Sequence, residues 1–194
     1  MNQDDVLLQI TEHLATAGIP FMVAGSVVSS AYSQPRSTND VDIVIDPTPE
    51  QLEHWLTLLG NAFYVSPDAA RDALGRRLMF NIIDLTGGWK ADLIIRKNRP
   101  FSLEEFQRRR IASLAGRALP IACPEDTILT KLEWNLITPS ERQVQDALNV
   151  AIAQWPQLDQ TYLRKWAPSL GITDELESLL QAAQQAQCPP APLS

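Results

Sequence analysis

Residues 21–46 read FMVAGSVVSSAYSQPRSTNDVDIVID, and the fold turns on how this stretch is read. Phe21-Met22-Val23-Ala24 is a short apolar run that stops at Gly25, the pattern of a buried strand. Residues 26–33 follow as a short helix. Asp40-Val41-Asp42-Ile43-Val44-Ile45 is a second strand, bounded by Ser37-Thr38-Asn39 and Pro47-Thr48-Pro49. Alternate side chains of a strand leave opposite faces, so Asp40 and Asp42 share one face while Val41, Ile43 and Ile45 turn to a core. Two neighbouring carboxylates repel, and a cation between them relieves the cost. Hard divalent ions with oxygen ligands, chiefly Mg²⁺, suit such a pair. Gly25-Ser26, between strand and helix start, offers backbone N–H groups that can cradle a phosphate, and a glycine lets it come close.

Working outward, Val6, Leu7, Ile10, Leu14 and Ala17 recur at helical spacing and Gly18 ends that helix. A helix with acidic residues in its first turn starts at Pro49, and Ser66-Pro67-Asp68 opens a shorter one. Residues 77–85 (RLMFNIIDL) and 90–96 (KADLIIR) are two strands joined by a turn through Gly87-Gly88. Asp92 is thereby a third acid inside an apolar strand, where a charge must be paired, metal-bound or at an edge. A two-residue turn would set Asp84 opposite Ala91 and facing away from Asp92, so Asp92 is preferred as the third carboxylate. Ser102 with Glu105 predicts a capping box for a helix carrying Arg108, Arg109 and Arg110. From Pro124 to about Ala186 the periodicity is helical throughout, broken at Thr138-Pro139, Trp155-Pro156 and Gly171. The expected class is therefore α+β: a mixed sheet flanked by helices over 1–122, a helical region over 123–187, and an unstructured tail over 188–194.

Composition narrows the function. The 194 residues carry a net charge of −7, yet residues 71–117 hold 11 of the 16 Lys and Arg and only 5 of the 23 Asp and Glu. A basic island in an acidic chain points to an anionic partner such as a triphosphate, a nucleic acid or an acidic protein surface. The overall acidity argues against non-specific duplex binding, which depends on neutralising many phosphates. Two cysteines cannot build a disulfide framework or a four-ligand zinc site, and no apolar run reaches the ~18 residues that span a bilayer. The N-terminus lacks the basic start and apolar block of a signal peptide, so a cytoplasmic location and no membrane partner are expected. Val44 at a ligand position excludes an EF-hand, and Gly87-Gly88 lacks the lysine of a P-loop. His13 and His54 lie in amphipathic helices and receive no role.

Three carboxylates beside a phosphate cradle are what two-metal phosphoryl or nucleotidyl transfer requires. Residues 23–45, VAGSVVSSAYSQPRSTNDVDIVI, resemble the signature of the DNA-polymerase-beta-type nucleotidyltransferase superfamily: apolar strand, Gly-Ser, spacer Val27–Asn39, Asp-apolar-Asp, with the later acid at Asp92. Arg36-x-Thr38-x-Asp40-x-Asp42 is similar to the form found in its small bacterial branch, which includes minimal nucleotidyltransferases and abortive-infection toxins of type IV toxin–antitoxin systems. Residues 124–132 with Arg142 and Asp146 resemble the helical motif of those toxin-like proteins, although many of them carry a second glycine where Ser26 stands here.

The resemblance implies a nucleotidyltransferase-like fold and transfer of a nucleoside monophosphate from an NTP to an acceptor hydroxyl, with Mg²⁺ or Mn²⁺ as cofactor and pyrophosphate as product. It assigns Asp40, Asp42 and Asp92 to metal binding and catalysis. Gly25, Ser26, Arg36, Thr38 and Lys131 fall on the nucleotide side. The acceptor is left open among protein, RNA and a small molecule. The alternative is the same fold used as a toxin–antitoxin component or a non-catalytic nucleotide-binding module, with a partner protein. Bland readings stand beside these: Arg36 paired with Asp46, Thr38 as a turn hydroxyl, and Lys131 with Asp146 as a helix–helix ion pair.

Overall fold

The computed structural model describes residues 2–34 and 40–187, and within them two compact units. The first holds 2–27 and 40–122, the second 28–34 and 123–187. Arg36, Thr38 and the 188–194 tail lie outside the described residues.

The first unit begins with α1 (Gln3–Thr16), β1 (Phe21–Ala24), the start of α2 (Gly25–Tyr32) and β2 (Asp40–Ile45). It continues through α3 (Pro49–Leu58), β3 (Phe63–Val65), α4 (Pro67–Arg76), β4 (Met79–Asp84) and β5 (Lys90–Ile95). It ends with α5 (Pro100–Arg108), β6 (Arg110–Leu114) and β7 (Arg117–Ile121). The strands form one mixed sheet in the order β3-β4-β5-β2-β1-β7-β6. β2 runs parallel to β5 and antiparallel to β1. Val41, Ile43 and Ile45 on β2, Ala91, Leu93 and Ile95 on β5 and Phe80 and Ile82 on β4 are all buried on one face. Trp55 of α3 packs edge-on to Phe80 with ring centroids 6.1 Å apart, which sets that helix on the same face. Helix starts follow local chemistry: Asn2 and Asp5 cap each other reciprocally, Thr48 and Gln51 do the same before Pro49, and Ser66 caps α4 ahead of Pro67.

Three expectations change. Helix α5 starts at Pro100 with Arg99 before it and no side-chain cap; Ser102 instead accepts from Arg99 Nε at 3.0 Å, so no capping box forms. Arg108 is the last residue of that helix and Arg110 the first of β6, so the three arginines do not share a helix face. The β6–β7 hairpin was hidden because its turn is Ala115-Gly116, both at positive φ, where asparagine or aspartate ordinarily precedes the glycine. In the β4–β5 hairpin Asp84 N–H donates to Trp89 O at 2.8 Å, so Asp84 stands opposite Trp89 rather than Ala91. A slip of two residues keeps the pleat, and Asp84 still lies on the face of Phe80 and Ile82.

The second unit holds α6 (Pro124–Ile137), α7 (Glu141–Gln154), a 3₁₀ turn (Trp155–Gln157), α8 (Gln160–Leu170) and α9 (Thr173–Gln187). The breaks come at Thr138, at Trp155-Pro156 and at Gly171, whose φ of +72° closes α8 in the left-handed region. Buried polar groups tie the helices together. Tyr162 donates its hydroxyl to Asp126 at 2.6 Å, and Glu125 accepts the Asp159 N–H at 3.1 Å. No described helix is long and apolar enough to cross a membrane.

Candidate functional site

The sheet face opposite the core carries the acids. Strand register sets Asn81, Asp92, Asp42 and Ala24 in one row across β4, β5, β2 and β1. The next row holds Tyr64, Ile83, Lys90 and Asp40 across β3, β4, β5 and β2. Cross-strand partners share a face, so Asp42 and Asp92 are immediate neighbours although fifty positions separate them in sequence. Asp40 stands one step along the same face, beside Lys90, and is exposed. Ala24, small and buried, is the cross-strand neighbour of Asp42 on β1.

Gly25 closes this row. Its φ is +64°, and a Cβ there would lie 2.6 Å from Asp42 Cγ and 2.8 Å from Asp42 Cβ, nearer still to Oδ2. No side chain fits between them, and only glycine adopts the left-handed conformation without strain. The first turn of α2, with Ser26 in it, therefore begins hard against the Asp42 carboxylate.

Asp92 is not left to repel its neighbours. Lys90 Nζ sits 3.0 Å from Asp92 Oδ1, and Asn81 donates Nδ2–H to the same oxygen. The bond to Asp92 holds the Lys90 ammonium above its usual pKa against the pull of burial, with Asp40 and Asp42 adding to it. Among the described residues no group of three or more His, Cys, Asp and Glu side chains is placed to hold a metal ion. What is present is a pair of hard oxygen donors on adjacent strands with a third within one step.

The remaining expected residues separate. Asp84 is buried on the core face, away from the carboxylate row, where its oxygens accept from Thr86 N–H, Thr86 hydroxyl and Gly87 N–H at 2.7–2.9 Å. Burial pushes its carboxyl up, but these donors outweigh it and hold the group below its ordinary value. Asp84 is a turn-builder. Asp46 pairs with Arg96 at 2.8 Å and with Arg77 at 3.4 Å. Lys131, in the second unit, lies 2.9 Å from Asp146 with Gln143 at 3.0 Å, both ions buried. Lys90 and Asn81 were missed by sequence reasoning. The signal for Lys90 was available, since a residue two before Asp92 in a strand must leave the same face.

No protein-family model and no curated protein matches the chain by sequence. Solved structures match it by shape. The crystal structure of ANT(2'')-Ia in complex with adenylyl-2''-tobramycin aligns over 97 % of this chain and 100 % of that one, at 14 % identity and a TM-score of 0.55. The solution structure of the same antibiotic-resistance factor aligns over 95 % and 92 %, also at 14 % and 0.55. An antigenic nucleotidyltransferase-like protein from Paracoccidioides brasiliensis aligns over 92 % of each chain at 16 % identity and 0.52. The chain shares its fold with these structures, and the fold is α+β.

Proposed function

We propose that this protein transfers a nucleoside monophosphate from an NTP to an acceptor hydroxyl, with Mg²⁺ or Mn²⁺ as cofactor. The observation that carries the reading is the adjacency of Asp42 and Asp92 in one register row, with Gly25 pressed against Asp42 at the first turn of α2. The donor set fits a hard cation. Mg²⁺ is held by one or two carboxylates, its other positions going to water and substrate phosphates, so a closed protein cage is not needed. When bound, the divalent ion neutralises charge on the transferring phosphoryl group.

In this reading Asp40 and Asp42 would hold the cation with Asp92 completing the set, and the backbone of Gly25 and the side chain of Ser26 would take the β- and γ-phosphates at the positive end of α2. Asp92 orients the acceptor hydroxyl and accepts its proton as the new oxygen–phosphorus bond forms. The bond from the α-phosphorus to the bridging oxygen breaks, and pyrophosphate leaves. Arg36 and Thr38 complete the nucleotide side. For Lys131 the buried pair with Asp146 favours the structural role of the two that the sequence leaves open. A small-molecule acceptor comes first among the candidates, because ANT(2'')-Ia is seen with an adenylylated small molecule; a protein and an RNA hydroxyl follow.

The test is label transfer. Each α-labelled NTP is supplied with Mg²⁺ or Mn²⁺ to separated small-molecule, RNA and protein fractions of a lysate, using wild type and Asp40→Ala/Asp42→Ala. Transfer that needs both carboxylates is expected, and equal labelling by the two proteins would overturn the reading. NTP binding without turnover, together with a stoichiometric partner protein, would favour the regulatory or toxin–antitoxin alternative.

A further inference from the structure

Neither the phosphate cradle nor the proton transfer uses Lys90, yet it is a cation on the face that carries the acids. It opens β5 two residues before Asp92, so the two side chains leave the same face, and register sets it between Ile83 and Asp40. The ammonium lies 3.0 Å from Asp92 Oδ1, the oxygen that Asn81 also meets. The Lys90 side chain is 41 % exposed while that of Asp92 is 13 % exposed. The carboxylate is sheltered and its counter-ion reaches solvent on a flexible four-carbon stem, held by charge rather than by packing. Two donors already share Oδ1, and a cation approaching Asp92 meets the charge of the ammonium. Three carboxylates on two adjacent strands, with no such ammonium, would instead repel one another.

We infer that Lys90 is a displaceable counter-ion of the carboxylate row: its ammonium, paired with Asp92, competes with a divalent cation for that carboxylate and so weakens the site's affinity for the free cation. The inference rests on the nucleotidyltransferase reading of Asp42 and Asp92, and makes Lys90 a positioning residue for Asp92. Removing a unit positive charge a few ångströms from a divalent ion in a partly solvated site tightens its binding about tenfold.

Mn²⁺ binding to the full chain, followed by the electron paramagnetic resonance signal of the free ion, tests this with wild type, Lys90→Met, Lys90→Arg and Asp42→Asn. Lys97→Met, beyond the far end of β5, controls for net charge. Expected are weak binding by wild type that is lost in Asp42→Asn, about tenfold tighter binding by Lys90→Met, and wild-type affinity in Lys90→Arg and Lys97→Met. Binding by Lys90→Met no tighter than wild type, with an unchanged melting curve, overturns the inference and leaves the nucleotidyltransferase reading standing. Equal gains in Lys90→Met and Lys97→Met overturn it too, since net charge alone would then be responsible. Mn²⁺ binding indifferent to Asp42→Asn overturns both readings together. Should Lys90→Met not fold, Lys90→Gln carries the same comparison with a polar stem.

Discussion

Among the described residues stand two lysine–aspartate pairs of nearly equal length and opposite character. Lys90 and Asp92 meet at 3.0 Å with side chains 41 % and 13 % exposed; Lys131 and Asp146 meet at 2.9 Å with side chains 4 % and 6 % exposed. In the first pair water already solvates the ammonium, so parting the ions costs little and either can take a new partner. In the second both ions have left water, Lys131 donating to Gln143 as well, so removing one takes from the other its buried counter-ion. The same two residue types thus make a partly exposed contact on the sheet face and a buried one among the helices of the second unit. Burial, not distance, separates the two pairs.

The largest effect tests whether the open face is catalytic. Asp40→Ala/Asp42→Ala is expected to lower nucleotidyl transfer by about 10⁴-fold or more, above roughly 5 kcal/mol of transition-state stabilisation, with a melting temperature near that of wild type. A modest loss of transfer would remove the open face from the chemistry. Next comes the contrast itself. Lys131→Met is expected to cost about 3–5 kcal/mol of unfolding free energy, most of it regained when Asp146→Leu is added. Lys90→Met is expected to cost less than about 1 kcal/mol. Chemical denaturation of the three variants decides it, and similar costs for the two lysines would erase the distinction.

Smaller is Gly25→Ala, which places a methyl group against Asp42 at φ +64°. A loss of about 1–3 kcal/mol is expected from the backbone strain and clash, accompanied by weaker Mn²⁺ binding because Asp42 must move. Unchanged Mn²⁺ binding would show that the cradle and the carboxylate are not coupled. The smallest effect separates Asp84 from its open-face counterparts. Its carboxyl titrates below the ordinary value of 3.8, so its contribution to stability is complete above that value and is lost as the pH falls through the lowered one. Asp84→Asn is expected to flatten the acid end of the stability profile while leaving nucleotidyl transfer intact. A drop in transfer would return Asp84 to the site.

Much of this was legible from short-range rules. Strand alternation put Asp40 and Asp42 on one face, the cap-and-proline pattern located α4, and the same alternation kept Asp84 off the carboxylate face even with the turn misread by two residues. The capping box failed because α5 already starts at Pro100, which puts Ser102 inside its first turn rather than before it. The three-residue β3 was too short to show a period, and the Ala115-Gly116 turn lacks the usual residue before its glycine.

What the chain determined by itself is therefore local: which side chains share a face, where helices start and stop, and that an acid in KADLII needs a partner. That β5 lies parallel against β2, so that Asp92 falls beside Asp42 and Lys90 beside Asp40, was decided only by tertiary pairing across some fifty residues. The burial that separates Lys131–Asp146 from Lys90–Asp92 was decided there as well. Pleat and capping depend on a residue and its next few neighbours, whereas strand order and desolvation depend on how the whole core packs.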